Sequence, residues 1–252
     1  MNTVKIMGGL GNQLFEYAFA RTLEKKYGPV GLDISFYSSD ENRTKHFLPR
    51  EFGLHRFNTV FTLADYDLNE TEITEQTYDP EKEYQNCRFW GFWQRARFSK
   101  GLDLSDEMTL RPEYLKDNVK NIAAEMANCN SVAVHVRRTD YKNFNWQVGV
   151  DFYVRAFNEI NEKVENPIYY LFSDDIKWCH DNLPFRAARY IHCRDFEDFY
   201  LMQHAKHNII ANSTFSWWAA YTNKNKGIVI APKKWISGID WSPLDVEGWT
   251  LL

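Results

Sequence analysis

From Ser131 to Ile230 short apolar runs alternate with segments of helical period, and most of the runs end in a cluster of polar residues. The pattern predicts a strand at 131–136, a helix from Asp151, a strand at Ile168–Phe172, a helix near Ile176 and a short strand at Tyr190-Ile191. It continues with a helix from Asp195, a strand at Asn208–Ala211, a helix from Phe215 and a strand at Ile228–Ile230. Strands with this much apolar, β-branched character suit burial on both faces, which a parallel sheet wrapped by helices provides. The chain therefore reads as α/β. In open sheets of that kind ligands bind beyond the carboxyl ends of the strands, so the polar clusters there are the candidate site.

Three such clusters stand out. The first strand ends in His135-Val136-Arg137-Arg138-Thr139-Asp140-Tyr141, the second in Ser173-Asp174-Asp175, and the fourth in Asn212-Ser213-Thr214-Phe215-Ser216. Two adjacent guanidinia suggest an anionic ligand, most simply a diphosphate, and a helix starting near Thr214 would turn N–H groups and hydroxyls toward a phosphate. Each cluster alone also reads as a solvated turn or a helix cap. Their recurrence at three strand ends favours a ligand. Recognition of phosphate must be local, because 34 carboxylates against 30 Lys and Arg give no global field toward nucleic acid or an anionic membrane.

The first third is less regular. Val4–Met7 reads as a strand, Gly8-Gly9-Leu10-Gly11-Asn12-Gln13 as a glycine turn, and Leu14, Phe15, Ala18, Phe19 and Leu23 as one helix face. Glycines there let backbone approach a ligand closely, although the spacing is not the dinucleotide fingerprint. Gly28-Pro29 stops the helix and Val30–Ile34 resembles a second strand, whereas 36–79 is polar and acidic and predicts loops and short helices. The aromatic, basic run Phe89–Phe98 suits an interdomain core better than a sugar-stacking wall. A helix is predicted over Pro112–Met126, with a domain boundary around 100–112.

Other chemistries find weaker footing. The start lacks the apolar core of a secretory signal and no run approaches ~18 apolar residues, so a soluble, cytoplasmic protein is expected, with peripheral membrane association left open. Cys87, Cys129, Cys179 and Cys193 contain no C-x-x-C pair, and Cys179-His180 with His192-Cys193 makes a poor zinc site because adjacent side chains point apart. One D-x-D string, Asp65-Tyr66-Asp67, is the pattern that would hold a divalent metal against a diphosphate.

Taken together, Gly8–Phe15 (G-G-L-G-N-Q-x-F), His135–Tyr141 (H-x-R-R-x-D-Y), Ser173–Asp175 (S-D-D), Asn212–Ala219 (N-S-x-F-S-W-W-A) and Ala231–Trp235 resemble the family 11 glycosyltransferases, the bacterial and animal α-1,2-fucosyltransferases. The resemblance spans nearly the whole chain. It implies a GT-B-like architecture of two facing Rossmann-like domains with a cleft between them, residues 1–105 on the acceptor side and 106–252 binding the GDP-sugar. It implies inverting transfer of L-fucose from GDP-β-L-fucose to a sugar hydroxyl, O2 of a terminal galactoside, with an oligosaccharide acceptor and no divalent metal.

Residue by residue, the resemblance assigns Arg137 to the β-phosphate, with Arg138 beside it, and places His135 and one of Asp174 and Asp175 near guanine. It assigns Ser213, Thr214 and Ser216 to phosphate, and gives Asn12, in the turn with Gly9 and Gly11, a reach from the first domain toward fucose. Asp140 and Glu16 are candidate general bases, beside a dissociative route that uses the β-phosphate oxygen. Thr139 and Glu16 stand where family members commonly carry Gly and Gln. Two rival readings remain at this level: the same fold using another nucleotide sugar, and a catalytically silent glycan-binding protein.

Overall fold

The computed structural model describes residues 1–43, 49–65, 70–98, 101–185, 188–236 and 246–252. The chain divides into two compact units, Met1–Met108 and Thr109–Leu252.

Unit 1 is built on β1 (Asn2–Lys5), α1 (Leu10–Tyr27), β2 (Val30–Asp33), β3 (Thr62–Leu63), β4 (Thr71–Thr74) and β5 (Cys87–Trp90). All five strands run parallel in the order β3-β2-β1-β5-β4. Helix α1 packs on β1 and β2 and ends at Gly28, whose positive φ lets its N–H turn back to the Glu24 carbonyl at 3.1 Å. The sheet carries polar residues where a central strand would ordinarily carry apolar ones. Thr3 donates to Glu70 at 2.8 Å, Lys5 pairs with Glu41 at 2.6 Å, and buried Arg88 pairs with buried Asp33 at 3.1 Å. Buried charges are costly unless matched, and here each has its partner.

That polarity explains what the hydrophobic pattern missed. Among its described residues the region 36–79 does contain short 3-10 turns, but also the strands β3 and β4, which are short and partly or fully exposed. Strand β5 opens the aromatic run. Phe89, Trp93 and Phe98 are buried around Phe19, which stacks on Trp93 at 3.7 Å between centroids, with Tyr78 edge-on. Phe89, Trp93 and Phe98 of the run thus pack into the core of unit 1, while Trp90 and Phe92 remain 41% exposed.

Unit 2 contains α2 (Asp117–Ala127), β6 (Ser131–Val136), α3 (Val150–Lys163), β7 (Ile168–Ser173), α4 (Ile176–Asn182), β8 (Arg189–Ile191), α5 (Asp195–His204), β9 (His207–Ile209), α6 (Thr214–Tyr221), β10 (Val229–Ala231) and β11 (Thr250–Leu251). The predicted helix over Pro112–Met126 is two pieces: a 3-10 turn at Pro112–Tyr114, an extended break at Leu115-Lys116, then α2. Proline starts the turn but the extended Leu115 prevents its continuation into α2. Helix α3 buries Phe152, Tyr153, Ala156 and Ile160, spacing that keeps one face on the sheet.

The six strands are parallel in the order β8-β7-β6-β9-β10-β11. In order of appearance within the unit this is 3-2-1-4-5-6, the doubly wound order of Rossmann folds. Chain direction across the sheet reverses between β6 and β9, and at that point loops leaving the two strands turn to opposite sides and open a crevice. The segments after Val136 and Ile209 border it.

Candidate active site

The switch point in unit 2 collects the three polar clusters. Strand β6 is buried throughout, and past it Arg137 lies between two carboxylates, Nη2 at 2.6 Å from Asp140 and Nη1 at 3.2 Å from Asp174. Burial works against its charge, and these carboxylates more than offset that, so the guanidinium holds its proton even more firmly than usual. Arg138 turns the other way. Its guanidinium lies 3.4 Å from the centroid of the Trp178 ring and its Nε is 3.5 Å from Asp175.

Asp174 is almost consumed by the loop that follows β6. It accepts from Arg138 N (2.9 Å), Thr139 N (3.2 Å) and the Thr139 hydroxyl (2.6 Å), besides facing Arg137. Thr139 therefore has a structural part, since its hydroxyl is one of the ties between β6 and β7. Asp175 caps α4 by accepting from Trp178 N at 3.2 Å and takes Lys142 Nζ at 2.7 Å, and the lysine holds its carboxyl below the usual carboxylate range. Arg137, Arg138 and Lys142 thus face Asp140, Asp174 and Asp175: three formal positive charges against three negative.

His135 is buried, and burial together with the neighbouring Arg137 lowers its pKa to about 3, so it is a neutral imidazole. Its ring is tilted toward Phe215, 5.6 Å away, at the start of α6. The bridge from the arginine loop to that helix is Tyr141, whose hydroxyl donates to the Asn212 carbonyl at 3.1 Å and whose ring lies 5.8 Å from the Arg137 guanidinium. Asn212 in turn donates to the carbonyls of Trp146 (2.8 Å) and Trp235 (2.7 Å). Of the hydroxyls at the helix start, Ser216 is wholly buried near the Ala211 and Ser213 carbonyls, Ser213 is buried, and Thr214 is half-buried. The first turn of α6 presents N–H groups that no helical carbonyl reaches.

The remaining candidates sit at the corresponding place in unit 1, where β1 and β5 adjoin. Gly8 has φ +74°, and a Cβ there would lie 2.7 Å from Asn12 Nδ2, so the turn needs glycine. Gly9 caps α1 with ordinary backbone angles and nothing within 4 Å of an added Cβ, and Gly11 is buried in the first turn. The Gly8 carbonyl accepts from Gln13 and Tyr37, each at 3.2 Å, and Asn12 Oδ1 accepts from Gln94 at 3.0 Å. Glu16 is 0% exposed, with one carboxyl oxygen accepting from Met7 N at 2.8 Å.

Several of these participants carried no role in the sequence. Trp178 under Arg138, Lys142 on Asp175, Tyr141 as a bridge and Gln94 on Asn12 emerge from pairing across the sheet. The prior signals were that Tyr141 closes the His135–Tyr141 motif, that Gln94 lies in the Phe89–Phe98 run, and that Lys142 and Trp178 stand next to the motifs. Of the metal string, Tyr66 and Asp67 lie outside the described residues; among the described residues no three of His, Cys, Asp and Glu gather as ligands would. Cys179 is buried in the unit 2 core while His180 is exposed. Among the described residues no helix is long and apolar enough to cross a membrane.

The model of the glycosyl transferase family 11 matches residues 1–238. The chain is 27% identical to the O-antigen biosynthesis glycosyltransferase WbnK of Escherichia coli, over 97% of this chain and 98% of that protein. It is 28% identical to an alpha-1,2-colitosyltransferase of Escherichia coli, over 96% and 94%. The solved structure of NodZ alpha-1,6-fucosyltransferase, soaked with GDP-fucose, superposes with a TM-score of 0.56 over 87% of this chain and 91% of that one, at 12% identity. That likeness is one of fold. With two parallel sheets flanked by helices, the chain has the GT-B fold class.

Proposed function

We propose that this chain, which belongs to glycosyl transferase family 11, transfers L-fucose from GDP-β-L-fucose to O2 of a terminal galactoside with inversion at the anomeric carbon. The observation that carries this reading is Arg137 at the switch point of unit 2, joined through Tyr141 to the start of α6. A departing diphosphate needs positive charge that is in place before the bond breaks. Arg137 is held there by two carboxylates, and α6, whose N-cap Ser213 makes no side-chain cap hydrogen bond, starts just after β9. Because the local formal charges cancel, the diphosphate replaces carboxylate oxygens around Arg137 and is not simply added to an empty cationic pocket.

In this reading the acceptor oxygen attacks C1 of fucose, the C1–O bond to the β-phosphate breaks with its electron pair going to GDP, and the acceptor proton passes to the leaving phosphate oxygen. Asp140 is already engaged with Arg137 at 2.6 Å, which suits holding that guanidinium better than taking a proton. Neutral His135 supplies a hydrogen bond without charge on the guanine side. Asn12 and the Gly9–Gly11 backbone of unit 1 serve the fucosyl end. The bacterial relatives support an acceptor in a surface glycan.

The relative named an alpha-1,2-colitosyltransferase prompts a second reading in which the same site transfers colitose, a sugar that lacks one hydroxyl of fucose. Thermal-shift titration with GDP, UDP and ADP tests the nucleotide: a ligand at 100-fold its Kd adds about 2.7 kcal/mol of stability, and GDP alone is expected to do so. Stabilisation by UDP and not GDP would end both readings. Incubation of GDP-fucose and GDP-colitose with an acceptor array, followed by NMR of the product linkage, then separates the sugars and checks O2.

A further inference from the structure

Beneath the glycine turn of unit 1 lies a carboxyl group that the reaction outlined above does not use. Glu16 follows Asn12 by four residues on α1 and so shares its face of the helix. It is fully buried. One oxygen accepts from Met7 N, in the residue leading into Gly8-Gly9; the other, Oε1, is buried without a hydrogen-bond partner. Asn12 is braced on its far side by Gln94, and the turn carbonyl Gly8 O is held by Gln13 and Tyr37. The adjoining turn after β5 repeats the device, since Glu75 accepts from Trp93 N at 2.8 Å and leaves no room for a Cβ on Gly91.

We propose that Glu16 is a positioning residue: its carboxyl group ties the end of β1 to α1 and so fixes the glycine turn and Asn12, and it is not the general base. A base must reach the acceptor hydroxyl directly or through one water, which a carboxyl with no exposure and one oxygen committed to a backbone N–H cannot do. The charged groups facing it are Glu75, which disfavours ionisation, and Lys5, which favours it; Tyr37 also lies close. Burial is the largest influence and raises the Glu16 pKa well above the ordinary value, against the opposing pull of the Met7 N–H. Burial therefore favours the neutral acid, whose nearest isostere is glutamine. The kinetic part of this inference rests on the proposed transfer reaction; the structural part does not.

The test compares Glu16→Gln and Glu16→Ala with the parent. Glu16→Gln keeps an acceptor for Met7 N–H, so kcat/KM is expected within about threefold of the parent with a superimposable pH profile, whereas Glu16→Ala is expected to lose tenfold or more, mostly in kcat. Loss of 10² or more in a folded Glu16→Gln, the scale of a missing general base, together with loss of the acid limb of the profile, would overturn the proposal. A second readout needs no activity. A carboxyl with a raised folded pKa stabilises the fold fully below the unfolded value of about 4.3 and loses that stability as pH rises through the folded value. The melting temperature of Glu16→Gln minus that of the parent should therefore climb as pH rises above about 4.3. A difference flat with pH would refute the buried neutral acid. Should the parent transfer no sugar from GDP-fucose, the functional reading falls while the melting curves still decide the part played by Glu16.

Discussion

At the scale of single residues, the site is governed by which charges are already spoken for. Arg137 and Arg138 are adjacent in sequence but have separate surroundings, one between Asp140 and Asp174, the other on Trp178 and Asp175. An interaction that strengthens as the phosphate leaves acts on the transition state. Arg137→Ala is accordingly expected to keep its fold and lose about 10² to 10³ in kcat, the effect of removing one such donor, about 2.7–4 kcal/mol. Arg137→Lys should recover little, because an ammonium cannot reach two oxygens in the planar fork of a guanidinium. Steady-state kinetics beside circular dichroism checks both, and a near-parental kcat in the alanine variant would take Arg137 out of the mechanism.

At the scale of elements, the β1–α1 turn separates two uses of glycine. Gly8 answers to the chain itself, since it has positive φ and Asn12 leaves no space for a Cβ. Gly9 has neither constraint, and in the proposed reaction it lets a ligand approach the helix N-terminus closely. Gly8→Ala is expected to lower stability by roughly 1–2 kcal/mol, the cost of forcing a side chain into left-handed backbone, and to impair turnover. Gly9→Ala is expected to melt within a few degrees of the parent, yet lose tenfold or more in kcat/KM. Thermal melts paired with kinetics read out both, and full activity in Gly9→Ala would mean that no ligand comes near that backbone.

At the scale of the whole molecule, each of the two parallel sheets has its own switch point, the one in unit 2 bordered by cations and a helix start, the one in unit 1 by a glycine turn. In the proposed reaction, positive charge for the leaving GDP is supplied by the protein's own groups. Turnover after exhaustive EDTA treatment is expected to match turnover with added Mg²⁺ or Mn²⁺. If EDTA abolishes transfer, metal restores it and Asp65→Asn blocks the recovery, then the Asp65-Tyr66-Asp67 string stabilises the leaving group in place of Arg137.

The sequence by itself determined the second unit well. Strand β6 was legible to the residue, because its run of Val, Ala and Ser residues ends in a charged cluster; the alternation of strands and helices after it was legible to within a residue or two as far as β10, whereas β11 was not. Motif order was enough for the family. Tertiary structure alone decided the rest, because strand order depends on pairing between segments far apart in sequence. It set β6 against β9, more than seventy residues later, and so put Arg137 in one crevice with α6. It made strands of β3, which is two residues long, and of β4 and β5, where Arg88 is matched by Asp33 and Glu72, segments too short or too polar to carry a hydrophobic period. It also decided which carboxylates are engaged: Asp174 by the backbone beside it, and Glu16 beneath a turn that a linear reading places on an ordinary helix face. Desolvation and pairing of charge are properties of neighbours in space, and those neighbours exist only once both sheets have formed.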